Sequence, residues 1–466
     1  MEFLDRTAET ARLQKLLKAE KSILVIVRGR RRLGKSTLIK HVLREQDIYY
    51  EADKTAATNQ WMQVAMMAAQ VFPGLDTVTY TSWDSLLRAI NYRVTEPVTL
   101  CLDEFPYLVE VSPELPSVLQ KLIDSGQLRY NLILCGSSQR MMYDLIYDES
   151  APLYGRATAD IRLNPLHLPY LQDALNLSAE ETIVEYAVWG GVPRYWILRE
   201  QNGNLEEALR EHVFSNHGLL YEEPIHLFRD DTSDIVKIST LMAIVGNGAN
   251  RLKEIAARLQ EPATNLSRPL SKLISLGYIE RDIPFGESIK TSKRTLYRVA
   301  DPYLSFYYRF VAPNRSFIEL DRYAPIQAQL ERSLTTYVGT WWEKLCRDAV
   351  TGNNIDGVIY GEARRWWGSV VIDGRTQNVE IDVVAESADG RNILLGECKW
   401  TGGENAELLT ARLKKLSAVL PFAQGKNIVC KLFLRCEPTY PLSNHLLPAQ
   451  VIELWRKAHE KLKINN

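Results

Sequence analysis

Short unbroken apolar runs alternate with helical patterns through the first third of the chain, which predicts a buried parallel sheet flanked by helices. Residues 8–19 set Leu13, Leu16 and Leu17 on one face, the spacing of an amphipathic helix. The run Ile23-Leu24-Val25-Ile26-Val27 has no polar interruption, as expected of a strand covered on both sides. A glycine-rich turn follows, then a helical pattern at 36–44 and a second strand near 48–50. Residues 98–102 and 132–135 read as two further buried strands, with a helix at 116–124 between them. Strands alternating with helices point to an α/β nucleoside-triphosphatase core with helices on both faces.

After Pro165 the pattern turns mostly helical, through about Glu223. Residues 235–300 hold two or three short helices, a charged stretch and a strand-like end at 295–299. Residues 301–330 are rich in aromatics and prolines and read as a connecting segment, with Tyr303, Phe306, Tyr307, Tyr308 and Phe310 as a packing hinge. A new α/β pattern begins at Glu331: a helix at 331–349, strands near 357–372, 378–385 and 392–398, a helix at 405–420 and a strand at 427–434. At 466 residues the chain is too long for one hydrophobic core. The expected domains are a P-loop core (1–165), a helical lid (166–232), a winged-helix module (233–300), the connecting segment (301–330) and a C-terminal α/β domain (331–466).

Composition changes this picture little. Hydrophobic residues are 46% and charged residues 24%, as in an ordinary soluble protein. The net charge of -1 gives no global pull toward nucleic acid, though it permits a local basic surface. The six cysteines have neither disulfide-framework nor zinc-site spacing. His41, His167, His212, His217, His226, His445 and His459 form no ligand-spaced cluster. Trp341-Trp342 and Trp366-Trp367 are expected to fill a core or a seam. The first 21 residues are charged and helix-like, unlike a signal peptide, and no apolar run is long enough to span a bilayer. A cytoplasmic protein with no membrane partner is the expectation.

The chemistry starts at Gly29-Arg30-Arg31-Arg32-Leu33-Gly34-Lys35-Ser36-Thr37, which fits GxxxxGK[ST] at every fixed position and sits between a strand and a helix. Backbone N–H groups of such a loop, with the following helix N-terminus, suit phosphate oxygens. Lys35 is expected to reach the β and γ phosphates of ATP, and the Ser36 hydroxyl to bind Mg²⁺. The partner motif is Val98-Thr99-Leu100-Cys101-Leu102-Asp103-Glu104: Asp103 is offered to the magnesium shell and Glu104 to water, unless Glu104 is simply a solvated strand end. Ser137 and Ser138 follow the strand at 132–135 and are candidates to sense the γ-phosphate or water, turn chemistry alone being the plainer reading. Arg156 is a candidate arginine finger or phosphate sensor, a plain surface arginine being the alternative.

With Asp5-Arg6, Leu102-Asp103-Glu104, Cys135-Gly136-Ser137-Ser138 and Gly190-Gly191-Val192-Pro193-Arg194-Tyr195, these motifs resemble the archaeal ATPase family, an AAA+/STAND-like P-loop group found in archaea and bacteria. The resemblance covers roughly residues 1–230. It implies that Lys35, Ser36, Asp103 and Glu104 carry the nucleotide chemistry, that Ser137 stands at a first sensor position, and that 190–195 lie in the lid, with Arg194 either near the nucleotide or packing the lid.

Two short amphipathic helices, at 251–259 and 266–276, are joined by a turn through Pro262 and followed by Gly277-Tyr278-Ile279, which fits a winged helix. Asn265, Ser267, Arg268 and Lys272 would then face DNA. Between Arg251 and Arg281 six basic residues stand against three acidic ones, a modest excess, so protein packing is an equal alternative. The resemblance adds that related ATPases carry this module after the lid.

In the C-terminal region Glu380-Ile381-Asp382 and Glu397-Cys398-Lys399 end two apolar runs separated by an Asp389-Gly390 turn. Period two puts Glu397 and Lys399 on one face with Cys398 turned inward. Two carboxylates can hold a divalent metal, and a nearby lysine can position water or stabilise a scissile phosphate. Glu343 is a third candidate carboxylate; a solvated Glu–Lys pair is the bland alternative. The arrangement resembles the PD-(D/E)xK, restriction-endonuclease-like fold and the domain of unknown function attached to this ATPase family, over about residues 315–435. By that resemblance Asp382, Glu397 and Lys399 match the core motif, Glu343 the helical acid and Glu380 an accessory place. The proline usual before the aspartate is absent.

The expected protein is thus a Mg-dependent ATPase acting on DNA, with a second Mg²⁺ or Mn²⁺ held by Glu343, Asp382 and Glu397 in a nuclease domain. The alternative is a nucleotide-dependent switch or regulator whose C-terminal domain is a non-catalytic binding module. A homo-oligomer or a protein partner is compatible with both.

Overall fold

The computed structural model describes residues 6–19, 21–232, 234–440 and 444–464, so Asp5 lies outside the described residues. The chain divides into two compact units: residues 1–165 with 226–233, and 166–225 with 234–465.

The first unit is built on five parallel strands: β1 (Leu24–Arg28), β2 (Ile48–Glu51), β3 (Thr99–Asp103), β4 (Asn131–Gly136) and β5 (Ala159–Arg162), in the order β2-β3-β4-β1-β5. The apolar runs behave as expected of doubly covered strands, since every residue of β3 and β4 is buried. On one side Leu24, Ile26, Leu100, Leu102, Leu132 and Leu134 pack with Trp83 and Phe105. Helices Ala57–Ala69 and Trp83–Arg93, together with β5, were not expected from the sequence. The topology has one functional consequence. Because β4 lies between β1 and β3, a residue leaving β4 stands between the loop after β1 and the acids after β3.

The second unit opens with four helices, Leu168–Leu175, Ala179–Trp189, Pro193–Glu200 and Leu205–His212. They pack onto the C-terminal part of the same unit: Arg435 pairs with Glu180 and Arg456 with Asp173, and the Tyr337 hydroxyl donates to the Ala187 carbonyl at 2.9 Å. Next come helices Ile235–Gly246, Leu252–Leu259 and Ser267–Ser275, and an antiparallel ribbon of β6 (Ile279–Asp282) and β7 (Leu296–Val299). The expected connecting segment is instead a chain of short helical turns from Pro302 to Glu319. Tyr303, Phe306 and Phe310 are buried there, because each ring finds aromatic partners such as Tyr195, Phe214 and Tyr337. The following helix begins at Ala324, not 331, and runs 27 residues to Val350.

A small hairpin, β8 (Asn354–Ile355) with β9 (Val358–Ile359), takes the first part of the strand expected at 357–372. The main sheet is mixed, in the order β10-β11-β12-β13-β14: β10 (Arg364–Ile372), β11 (Arg375–Glu386), β12 (Asn392–Lys399), β13 (Asn427–Leu434) and β14 (His445–Leu446). The pairs β10/β11 and β11/β12 are antiparallel; β12/β13 and β13/β14 are parallel. One face, with Val383, Leu394, Cys398 and Phe433, meets Val338, Trp342 and Leu345 of the long helix. The other, with Ile393, Leu395 and Leu432, meets Leu413 and Leu416 of helix Ala406–Ser417. Trp342 and Trp366 are buried in these two cores, while Trp367 is half-exposed.

The second unit holds a buried ion pair whose loss is measurable. The Arg199 guanidinium donates to Glu185 Oε1 at 2.7 Å, and the Trp189 indole donates to Oε2 at 2.7 Å; the two charged side chains are only 9% and 4% exposed. Removing one partner of such a pair costs about 3–5 kcal/mol, since a buried charge is left uncompensated. Arg199→Ala is therefore expected to lower the melting temperature clearly. Arg88→Ala, which breaks the exposed Arg88–Asp84 pair, is expected to leave it in place; equal shifts in a thermal unfolding scan would refute the difference.

Candidate functional site

The loop after β1 is set by two glycines. A Cβ on Gly29 would stand 2.7 Å from the Leu163 carbonyl oxygen, so this close approach admits only glycine. Gly34 caps helix Lys35–Val42 with φ 84°, in the left-handed region. Arg30, Leu33 and Lys35 are buried, Arg31 and Thr37 exposed, and Arg32 takes φ 68°. Arg6 fixes the loop from outside: its guanidinium donates to the Leu33 carbonyl at 3.1 Å and the Asn164 carbonyl at 2.7 Å. The Lys35 ammonium donates to the Gly29 and Arg30 carbonyls at 2.9 and 3.2 Å, folded back across the loop.

Asp103 ends β3 and is fully buried. Burial pushes its carboxyl upward, but hydrogen bonds from Cys135, Ser36, Tyr49 and the Glu104 N–H outweigh that and hold it below the usual carboxylate range. Tyr49 on β2 donates at 2.6 Å; burial and the Asp103 charge together push this phenol well above its ordinary value. Ser36 and Asp103 thus stand side by side, a hydroxyl and a carboxylate whose oxygens suit a hard divalent cation. Glu104 takes φ 50°, which turns its side chain toward β4, where Ser137 donates to it from both N–H (3.1 Å) and hydroxyl (2.9 Å). Ser138 caps the next helix by accepting from the Met141 N–H, and Gln139 N–H donates to the buried Asp231 at 3.0 Å.

The structure therefore brings Lys35, Ser36, Asp103, Glu104 and Ser137 together at the C-terminal edge of the sheet. It does not bring Arg156 there. Arg156 precedes β5 at the opposite edge, where the Thr158 N–H bonds to the carbonyl of Leu24, the first residue of β1; about 13 Å of strand separates that end from the loop. Its guanidinium is paired with Asp124 at 2.8 Å, so the expectation of a sensor on its own chain's nucleotide is corrected. Arg194 is exposed on helix Pro193–Glu200. Tyr49 carries no recognisable motif, and the Asp5-Arg6 motif gave Arg6 no role; both act through strand and loop contacts distant in sequence.

In the second unit, Asp382 lies where β11 leaves register. Arg364 pairs with Val384 but Trp366 with Ile381, so one residue of β10, Arg365, opposes two of β11 and the chain bulges at Asp382–Val383. Such bulges re-aim a side chain. Asp382 accepts from the Cys398 N–H at 2.8 Å, and Arg347 of the long helix donates to the Asp382 carbonyl at 2.9 Å. Burial, followed by the charges of Glu343 and Glu397, pushes the Asp382 carboxyl up to about 7. Glu343 also faces Arg347 at 3.9 Å. The buried Glu397 accepts from Lys399 at 2.8 Å and from Arg412 at 2.7 Å. Burial pulls the Lys399 ammonium down, but the Glu397 hydrogen bond and charge outweigh it, so it is raised. Glu380 is tied to Arg365.

Glu343, Asp382, Glu397 and Lys399 are thus neighbours. Among the described residues, however, no three His, Cys, Asp or Glu side chains stand close enough to hold a metal ion, and Glu397 is already engaged by two cations. Arg347 and Arg412 were not singled out from the sequence; arginines on helices look alike until the sheet packs against them.

In the preceding module, Asn265, Ser267 and Arg268 are exposed around the start of helix Ser267–Ser275, and Lys272 is half-buried one turn on. No helix among the described residues is long and apolar enough to cross a membrane.

A parallel sheet with a phosphate-type loop after its fourth strand in space, and a buried aspartate two strands away, defines a P-loop nucleotide-binding protein. The chain carries, at residues 3–197, the ATPase domain found predominantly in archaea, and at 307–411 the domain of archaeal and bacterial proteins of unknown function. The match to this ATPase domain implies nucleotide binding. An uncharacterized protein of Methanocaldococcus jannaschii is 26% identical over 407 residues, 85% of this chain and 87% of its own length. The Walker-type ATPase of Pyrococcus abyssi superposes with a TM-score of 0.52 at 20% identity, over 66% of this chain and 96% of its own, a likeness of fold.

Arg6→Ala frees two carbonyls that position the phosphate loop and is expected to weaken a fluorescent ATP analogue roughly tenfold, the equivalent of about 1.4 kcal/mol. Arg156→Ala is expected to leave the same titration unchanged. The reverse pattern would return Arg156 to the site.

Proposed function

We propose that this protein is a Mg-dependent ATPase that acts on DNA, coupled to a metal-dependent phosphodiesterase in its C-terminal domain. The observation that carries the ATPase reading is the convergence of Lys35, Ser36, Asp103, Glu104 and Ser137 at one sheet edge. The loop's N–H groups hold the triphosphate, and Lys35 turns its ammonium from the Gly29 and Arg30 carbonyls to the β and γ phosphates. Ser36 and Asp103 are the residues that would hold magnesium, whose chemistry is to neutralise charge on phosphate oxygens. Glu104 orients the attacking water and takes its proton, and Ser137 keeps Glu104 aimed.

The helix–turn–helix and ribbon at 235–299 support a winged-helix reading, with Asn265, Ser267, Arg268 and Lys272 available to DNA. The mixed sheet, the long helix and the bulge at Asp382 support a PD-(D/E)xK reading. In it Glu343, Asp382 and Glu397 would be the oxygen donors for Mg²⁺ or Mn²⁺ once drawn closer than they stand here, and Lys399 would steady the scissile phosphate. A second reading is favoured by one observation: Lys399 and Arg412 both occupy Glu397, as they would in a non-catalytic binding module that reports nucleotide state.

Glu104→Gln is expected to keep ATP binding and lose turnover by about 10²–10⁴-fold, while Lys35→Ala loses both. A phosphate-release assay beside an analogue titration separates the two; unchanged turnover in Glu104→Gln would end the catalytic role of that residue. Asp382→Ala is expected to abolish nicking of plasmid and linear DNA with Mg²⁺ or Mn²⁺ while leaving ATP turnover intact. Wild-type protein that leaves every DNA form uncut, with ATP and either metal, would overturn the phosphodiesterase and leave the binding module.

A further inference from the structure

Within the second unit, a groove with a volume of about 1190 Å³ runs between the helix–ribbon module and the edge of the mixed sheet. Three elements wall it: the start of helix Leu252–Leu259, the segment leading into β7, and the β10–β11 pair. Its charge is lopsided. Six basic side chains line it, Arg251, Lys253, Arg281, Lys293, Arg294 and Arg365, against two acidic ones, Glu254 and Glu380. The whole chain carries a net charge of -1, so this excess is local.

Part of the basic set has structural duties. Arg294 pairs with Glu287 and donates to the Trp367 carbonyl at 2.8 Å, which ties the ribbon to β10. Arg281 is bound to the Ile289 carbonyl at 2.6 Å, and Arg365 to Glu380. Arg251, Lys253 and Lys293 are different: they are exposed and, among the described residues, in no ion pair. Three solvated cations on two walls of one groove lack an internal charge to answer. A polyanion supplies it, because each phosphate neutralised releases condensed counterions.

The groove's position says more than its charge. Its floor includes Asn378, Val379 and Glu380 of β11, and Asp382 follows two residues later on the same strand, about 7 Å further along. A backbone lying on the floor therefore runs toward the bulge and the carboxylates around it. The helix face with Asn265, Ser267, Arg268 and Lys272 does not line this groove.

We propose that DNA is seated by its phosphates in this groove, on Arg251, Lys253 and Lys293, and that the groove leads the backbone to the Asp382 cluster. This rests on the reading of the protein as one that acts on DNA. It assigns the electrostatic hold to the ribbon and the start of helix Leu252–Leu259, not to the Asn265–Lys272 face.

The test is an anisotropy titration of full-length protein against labelled single-stranded and duplex oligonucleotides over a range of salt. The groove triple Arg251→Glu/Lys253→Glu/Lys293→Glu is compared with the face double Arg268→Glu/Lys272→Glu. The expected result is a loss on the order of 100-fold in the triple, with the salt slope reduced by about three, and little change in the double. The DNA form bound more tightly by the wild type and lost in the triple is the one the groove takes. If the triple proves unstable in a thermal scan, the milder Lys253→Gln/Lys293→Gln pair is expected to reduce the slope by about two. Wild-type affinity in the groove variants with loss in the face double would overturn the groove while sparing the DNA reading. Wild-type protein that binds neither form would overturn the DNA reading itself.

Discussion

A carboxylate cannot stay ionised at zero exposure unless donors replace the water it gave up, and the ATPase unit is arranged to meet that demand at Asp103. The donors come from four places: Tyr49 on the neighbouring strand, Ser36 at the start of the phosphate-loop helix, Cys135 on β4, and the chain's own next N–H. The first three each tie a different element to the end of β3. Strand order, loop conformation and helix start are thus fixed around one buried charge. The left-handed backbone at Glu104 is the visible strain of that arrangement, and it sends the glutamate to Ser137 on β4.

Asp382 presents the opposite case. It is half-buried, and its neighbours include two carboxylates, Glu343 and Glu397, where Asp103 has hydrogen-bond donors. One N–H, from Cys398, reaches it, and the nearby Arg347 spends its donor on the Asp382 carbonyl. Lys399 and Arg412 are drawn to Glu397 instead. The first aspartate is compensated by its own fold; the second is surrounded by negative charge that its own fold compensates only at the periphery. This contrast of donor sets separates an aspartate held ionised by its own fold from one set among other carboxylates.

The phosphate site was legible because its chemistry is local. Gly29 to Thr37 must be contiguous for one loop to wrap one triphosphate, and a buried strand must end in its acids, so the pattern survives in one dimension. Tyr49 was not legible as part of that site, and Arg6 was legible only as a motif without a role, since each works across a fold that brings residues 54 and 27 positions apart into contact. Arg156 shows the converse error. A glycine–arginine pair near a strand looks like a sensor until the parallel register fixes which end of that strand it occupies.

The second unit was harder to read for the same physical reason. Period two correctly set Glu397 and Lys399 on one face, but it could not foresee the bulge, because a register shift is a property of two strands and not of one. Likewise, the helices at 168–212 have apolar faces that announce burial without announcing a partner; Tyr337, Arg435 and Arg456, all far along the chain, supply it. What amphipathicity leaves open is therefore which surfaces meet. The meeting of the β6–β7 ribbon with β10 is the instance that matters most, because Arg294 ties to the Trp367 carbonyl and Arg365 to Asp282 of β6, and the cations left over line the space between.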